Sequence, residues 1–212
     1  WNWCASHEVR LIYASSAATY GSGECGFEDE FSYESLAALR PLNPYAWSKH
    51  LFDRQVYRII LEGKPTPPQW VGLKFFNVYG PNEYHKGRMQ SVVSQIYLRA
   101  SANEAAVLFR SHNRNYKDGE QLRDFICVDD CVGIINWFLD TPSVCGLFNC
   151  GTGKARSYAD LAAAVFQALG KESRTVFVDT PKDIRARYQY FTEAPISRLR
   201  AAGYQGVMTK LE

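Results

Sequence analysis

The sequence contains no apolar run approaching the roughly 20 residues that a membrane helix requires. Its longest, around "CVGIINWFLD", falls far short, so no membrane partner is expected. No signal peptide is visible, which with cysteines read as reduced thiols predicts a cytoplasmic protein; no segment is of low complexity and none repeats. One-sided charge is missing too. The net charge is +2, with Lys and Arg interspersed among Asp and Glu, so nucleic acid is not an expected partner and any anionic ligand needs a local site. There is no CxxC pair, and the six cysteines, Cys4, Cys25, Cys127, Cys131, Cys145 and Cys150, lie apart from the four histidines, so no metal site is expected. With 212 residues and 46% apolar content the chain can build a core without covalent staples, and the cysteines read as buried, reduced thiols.

What is present is an alternation of strands and helices. "VRLIYA" (9–14) is a short run of strand formers followed at once by the loop-like "SSAATYGSG". After an irregular acidic segment, Asn43 as cap and Pro44 in the first turn open a helix. Its apolar positions Tyr45, Leu51, Phe52, Val56, Ile59 and Ile60 keep helical spacing until "EGKPTPP" stops it. "WVGLKFFNVYG" (70–80) is a second strand of the buried kind, broken by Gly80-Pro81, and the crossover is long enough for parallel pairing. Helices near 88–101 and 129–140, strands at "AAVLF" and "GLFNC", a helix opened by Ser157 and Asp160 and closed by Gly170, a strand "RTVFVD" and a short helix in "APISRLRAAGY" complete an α/β chain. A dinucleotide fold normally opens with a strand, a GxGxxG turn and a helix. Nothing before residue 20 matches. Either the fold is a different one, or its first half has been cut away, which would leave a parallel sheet with an open apolar edge.

Tyr45 and Lys49 stand one helical turn apart and project from one face. A phenol ordinarily titrates near 10, too high for a base at neutral pH, but a nearby cation favours the phenolate. A tyrosine so tuned takes the proton from a substrate hydroxyl while hydride leaves the same carbon. By itself the pair is better explained as solvated helix surface. Its context weighs more: Ser15 and Ser16 end the first strand, at the carboxyl edge of a parallel sheet where open α/β folds bind ligands. A serine there can hold the oxygen that the phenolate deprotonates, although capping a loop is the commoner use of Ser after a strand.

In this order and spacing, "YASSAATYG", "NPYAWSK" and "FFNVYGP", followed by "LRDFICVDD" and "LFNCGTGKARSYADL", resemble the extended short-chain dehydrogenase/reductase family, whose members work on nucleotide sugars with NAD or NADP. The resemblance covers nearly the whole chain. It implies a Rossmann-type parallel sheet, incomplete and lacking its first strands, with a smaller α/β substrate-binding domain. Residues 1–80 and 123–153 would be the carboxyl-terminal part of the dinucleotide-binding domain, and 81–122 and 154–212 the substrate-binding domain. Ser16, Tyr45 and Lys49 stand where the family's catalytic serine, tyrosine and lysine stand. Within the family, "FNVYGPNEYHKGRM" and "RYQYFTEAPISRLRAAGY" are most similar to the NADP-dependent epimerases that invert carbon six of an ADP-linked heptose. In those enzymes the lysine of "HKG", here Lys86, is a second acid/base opposite the tyrosine. Inverting a secondary alcohol by oxidation, turning over of the planar ketone and re-reduction leaves the oxygen in a new place, so a second proton donor makes chemical sense. Which of Tyr45 and Lys86 serves which epimer stays open.

The resemblance further implies ADP-heptose as substrate, NADP as cofactor with NAD as the alternative, and a homo-oligomer at full length. Tyr45, Lys49, Val78 and Lys86 would meet the cofactor. Arg123 would grip the diphosphate, since a guanidinium fork matches phosphate oxygens; an ion pair with Asp124 or Asp129 is the structural alternative. Asn77, Phe109, Arg110, Ser111, His112 and Tyr188 fall where relatives contact the sugar nucleotide. Arg88 and Gln95, also substrate-side candidates, replace a serine and a histidine that many relatives carry, and the loop between Phe109 and Arg123 is longer than in short members. Other enzymes of the same family remain alternatives, as does a cofactor-binding protein without turnover. A dehydratase is disfavoured, because Ala17-Ala18 stands where those enzymes carry Asp-Glu.

Overall fold

A computed structural model of the chain describes residues 1–185 and 188–211, the side chain of Arg88 aside. A short helix α1 (Asn2–Ser6) leads into strand β1 (Leu11–Ser16). The Ser16 hydroxyl accepts from the Ala18 amide and so starts a 3-10 turn, Ala17–Tyr20. Within the acidic segment, a reciprocal Ser32/Ser35 capping box opens α2 (Tyr33–Ala38). Helix α3 (Pro44–Leu61) begins as its sequence predicts, with Asn43 Oδ1 accepting from the Ala46 amide at 2.9 Å and Pro44 in the first position. Then come β2 (Trp70–Phe75), β3 (Asn77–Tyr79), a 3-10 segment Tyr84–Met89, and α4 (Val92–Ser101), which Ser91 caps. The remainder comprises β4 (Ala106–Phe109), β5 (Leu122–Cys127), α5 (Val128–Asp140), β6 (Gly146–Cys150), β7 (Ala155–Ser157), α6 (Tyr158–Ala168), β8 (Thr175–Val178), α7 (Lys182–Arg185) and α8 (Ser197–Ala201).

Strands β1, β2 and β6 form a parallel sheet in that order, with Ala14 opposite Leu73 and Leu73 opposite Phe148. Two smaller sheets complete the α/β fold: β3–β5–β7, parallel then antiparallel, and the parallel pair β4–β8. One core lies under the main sheet, where Val71, Leu73 and Phe148 meet Ile134 and Phe138 of α5 and Leu199 of α8. A second joins Ile96 of α4 and Leu161 and Phe166 of α6 to Leu108 and Phe125. Each such fully buried side chain is worth about 1.5–3 kcal/mol over its exposed state. Among the described residues no helix is long and apolar enough to cross a membrane.

Several expectations need correction. The run "WVGLKFFNVYG" is two strands of two different sheets, because the backbone turns at Phe76, where the Val78 amide donates to the Phe76 carbonyl. An uninterrupted apolar run carries no mark of such a turn. The helix expected near 88 starts at Val92, because Ser91 supplies its cap. All six cysteines are free, but only Cys131 and Cys150 are buried, whereas Cys25 and Cys145 are exposed. Among the described residues β1 pairs only with β2, so its other edge, with Leu11, Ile12 and Tyr13 half-buried and Ala14 exposed, is uncovered.

Candidate active site

The end of β1 and the start of α3 bring the serine, tyrosine and lysine to one edge of the main sheet. Ser16 is buried, its hydroxyl turned back to cap the 3-10 segment. Lys49, one turn into α3, sends its ammonium to the Ala14 carbonyl at 3.0 Å, which ties the helix to the strand two residues before Ser16. The same ammonium lies 5.9 Å from the ring centroid of Tyr45, whose side chain is exposed at the helix start. The Lys49 ammonium thus links the Tyr45-bearing turn of α3 to the strand that ends in Ser16, with the phenol exposed.

Beside them is a cavity of about 540 Å³, lined by Ala18 and Gly21 after Ser16, by Leu42 and Asn43 before Tyr45, and by Arg123, Asp183, Ile184, Tyr188 and Gln189 from the other side. Gln189 Nε2 donates to the Gly21 carbonyl and closes the ring of segments. Arg123 is buried; its guanidinium donates to the carbonyls of Leu122 and Gln189 and lies over the rings of Tyr158 and Tyr188. The alternative ion pair with Asp124 is not made. Asp124 instead accepts from the amides of Thr152, Gly153 and Ala194 at 2.8, 2.9 and 3.1 Å. Burial raises the Tyr188 phenol above its ordinary range, with Arg123 opposing, so it stays a hydrogen-bond donor. Phe109 meets Tyr188 edge-on at 6.3 Å, and the His112 amide donates to the Tyr190 hydroxyl. Arg110 and Ser111 lie on the same loop, where Arg110 is exposed and Ser111 is held by Asp118 and Asn113.

The remaining candidates sit elsewhere. Lys86 lies in the 3-10 segment after β3, half-exposed and 3.4 Å from Glu83. Burial pulls the Glu83 carboxyl upward, but two hydrogen bonds from Ser91 and the Lys86 charge win, and it lies below its usual range. Asn77 is exposed at the start of β3, and Val78 packs against the first core. Gln95 is exposed on α4, donating to the Gln90 carbonyl. The side chain of Arg88 lies outside the described residues. Neither Lys86 nor Gln95 lines the cavity beside Ser16 and Tyr45.

Three charged or titratable groups escape the motif reading. Lys74 and Asp53 are buried and paired at 3.0 Å under the serine-bearing turn. A lysine inside the apolar run "WVGLKFF" was a visible signal, since a strand buried on both faces carries such a charge only with a partner. The third is His50, 1% exposed, with its Nδ1 unpartnered. Burial, reinforced by the charges of Lys74 and Arg54 and opposed by Asp53, lowers its pKa to about 4. The unfolded chain then binds one more proton than the folded one between about pH 6.5 and 4, so stability falls as pH drops through that window. The urea midpoint of the His50→Leu variant, followed across this range, should decline less than that of the parent. Parallel declines would refute the assignment.

The model of the family described as NAD dependent epimerase/dehydratase matches residues 1–151. The chain is 48% identical to the ADP-L-glycero-D-manno-heptose-6-epimerase of Fusobacterium nucleatum, over 100% of this chain and 64% of that protein. Its fold is similar to the crystal structure of the Helicobacter pylori ADP-L-glycero-D-manno-heptose-6-epimerase, with a TM-score of 0.75 and 27% identity over 99% of this chain and 59% of that one. It is also similar to the Thermus thermophilus UDP-glucose 4-epimerase solved in complex with NAD, with a TM-score of 0.71 and 25% identity over 96% of this chain and 61% of that one. The chain therefore spans about three fifths of the length of these relatives. The strand-end serine, the tyrosine and lysine of α3 and the family match over most of the chain lead to one conclusion: this chain belongs to the NAD dependent epimerase/dehydratase family.

Proposed function

We propose that the full-length protein inverts carbon six of ADP-D-glycero-D-manno-heptose by transient oxidation and re-reduction with a bound nicotinamide cofactor, NADP by resemblance. The carrying observation is the 48% identity, across the whole chain, to a protein named for that epimerisation. The residues present suit such a cofactor. Lys49 spends one of its three N–H donors on Ala14 and faces the exposed Tyr45 ring, as a group holding ribose hydroxyls beside a phenol would. When bound, the nicotinamide supplies reversible acceptance of hydride at the carbinol carbon.

The chain's own groups handle the protons and the grip on substrate. Tyr45 takes the hydroxyl proton as general base, and Ser16 holds the same oxygen. Lys86 supplies a proton from a second position after the ketone has turned, where the oxygen points away from Tyr45 and a second donor is useful. Arg123 and Tyr188 receive the diphosphate and sugar in the cavity, with Phe109, Arg110, Ser111 and His112 on the nucleotide side; Asn77, Arg88 and Gln95 are substrate-side candidates by resemblance alone. The proposed division is 1–80 with 123–153 for the dinucleotide and 81–122 with 154–212 for the substrate, although Leu199 and Tyr204 pack back into the first core.

The test is direct. The full-length protein, supplied with NADP or NAD in turn, is incubated with ADP-D-glycero-D-manno-heptose and followed by proton NMR. Appearance of the L-glycero epimer supports the reading. Absence of inversion, with turnover of UDP-glucose to UDP-galactose instead, would replace it with the 4-epimerase alternative.

A further inference from the structure

The serine turn and the catalytic helix are joined through a buried charge. Lys74 of β2 is 1% exposed, and its ammonium donates to Asp53 Oδ2 at 3.0 Å and to Thr19 Oγ1 at 2.5 Å, while lying 4.7 Å over the ring of Tyr20. Thr19 Oγ1 in turn donates to the backbone carbonyl of Ser16 at 2.8 Å. Asp53, fully buried, also accepts from the Ser15 hydroxyl at 2.7 Å and from the Tyr13 hydroxyl at 3.1 Å. It follows Lys49 by one helical turn and Tyr45 by two, so all three share a face of α3. An unbroken hydrogen-bonded path therefore runs from that face through Lys74 and Thr19 to the peptide of Ser16.

Stability alone does not require this arrangement. A buried ion pair is frequently no more stable than two apolar side chains of similar volume, because desolvation offsets the attraction. Charge-assisted hydrogen bonds are short and directional, however, and here they fix two segments that the backbone ladder leaves independent. The pair also supplies an acceptor for the hydroxyls of Tyr13 and Ser15, which apolar substitutes would strand.

We infer that Lys74 and Asp53 are positioning residues that set the register of the Ser16 turn against the Tyr45 helix. They touch neither substrate nor cofactor; they act through Thr19, Ser15 and α3. The inference rests on the epimerase reading for its kinetic readout.

Two variants of the full-length enzyme carry the test. Lys74→Met/Asp53→Leu removes both charges and leaves no lone buried ion. Asp53→Glu keeps both charges but lengthens one arm by a methylene. In each, kcat is expected to fall about ten- to a hundredfold, the scale of a misplacement near 1 Å, with KM within about threefold, since Arg123, Tyr188 and Gln189 on the far wall of the cavity are untouched. Amide hydrogen exchange across residues 17–21 should accelerate in the double variant, a readout that needs no substrate. Parental kcat and parental exchange in a folded variant would overturn the inference. Should the double variant fail to fold, Asp53→Glu decides alone by the same two readouts. A parent without epimerase activity would defeat the functional reading, and the exchange data would still decide whether the pair holds the turn.

Discussion

Tyr45→Phe in the full-length enzyme is expected to lower kcat for epimerisation by about a hundred- to ten-thousandfold, the range spanned by general acid–base catalysis. The substitution removes one oxygen and nothing else of consequence. Tyr45 is 58% exposed in the first turn of a helix whose start depends on Asn43 and Pro44, not on the phenol. Its ring remains to face the Lys49 ammonium. Folding and KM should therefore stay close to the parent while turnover is lost. Initial rates followed by NMR at saturating substrate measure this. A loss smaller than tenfold would remove Tyr45 from the proton-transfer role.

Gly21→Ala is expected to destabilise the chain by about 2–6 kcal/mol. Gly21 closes the turn after Ser16 with φ 63° and ψ −127°, a backbone region essentially reserved for glycine that costs other residues about 1–3 kcal/mol. A Cβ there would also lie 1.9 Å from the Arg40 carbonyl oxygen, so backbone must move, and overpacking of that kind costs about a further 1–3 kcal/mol. Gly63 is the control: it shares φ 63° but would place its Cβ in open space, so Gly63→Ala should cost only about 1–2 kcal/mol. Urea denaturation of both variants gives the comparison. Equal losses would show that the contact with Arg40 is accommodated without cost.

Local chemistry made several elements readable in advance. Asn43-Pro44 and the Ser157/Asp160 capping box are short-range devices, satisfied by atoms within one turn, and both helices start where their letters predict. The strands at 11–16 and 146–150 were legible because both are short runs of strand formers, and they flank β2 in the main sheet. The division of "WVGLKFFNVYG" between two sheets was not, since every residue in it is compatible with either neighbour and only the position of β5 draws Asn77–Tyr79 away. Helix α2 was missed because its Ser32/Ser35 box lies in an acidic, irregular stretch without apolar periodicity.

The candidate site divides along the same line. Helical periodicity puts Tyr45 and Lys49 on one face and a strand end offers Ser15 and Ser16, but the choice of Ser16, Tyr45 and Lys49 as candidates came from the family resemblance. Lys74, Asp53, Thr19 and Ser15 are scattered over 60 positions, and nothing local relates them. Only the crossing of β1, β2 and α3 brings an ammonium, a carboxylate and two hydroxyls within hydrogen-bond reach. Likewise, the letters named Arg123 as a phosphate ligand, but the packing of the 188–189 segment against Gly21 is what makes a cavity there. Periodicity and capping act over a few residues and are written in the chain. Pairing of distant charges and the enclosure of space depend on which elements become neighbours, and that is settled by burial across the whole fold.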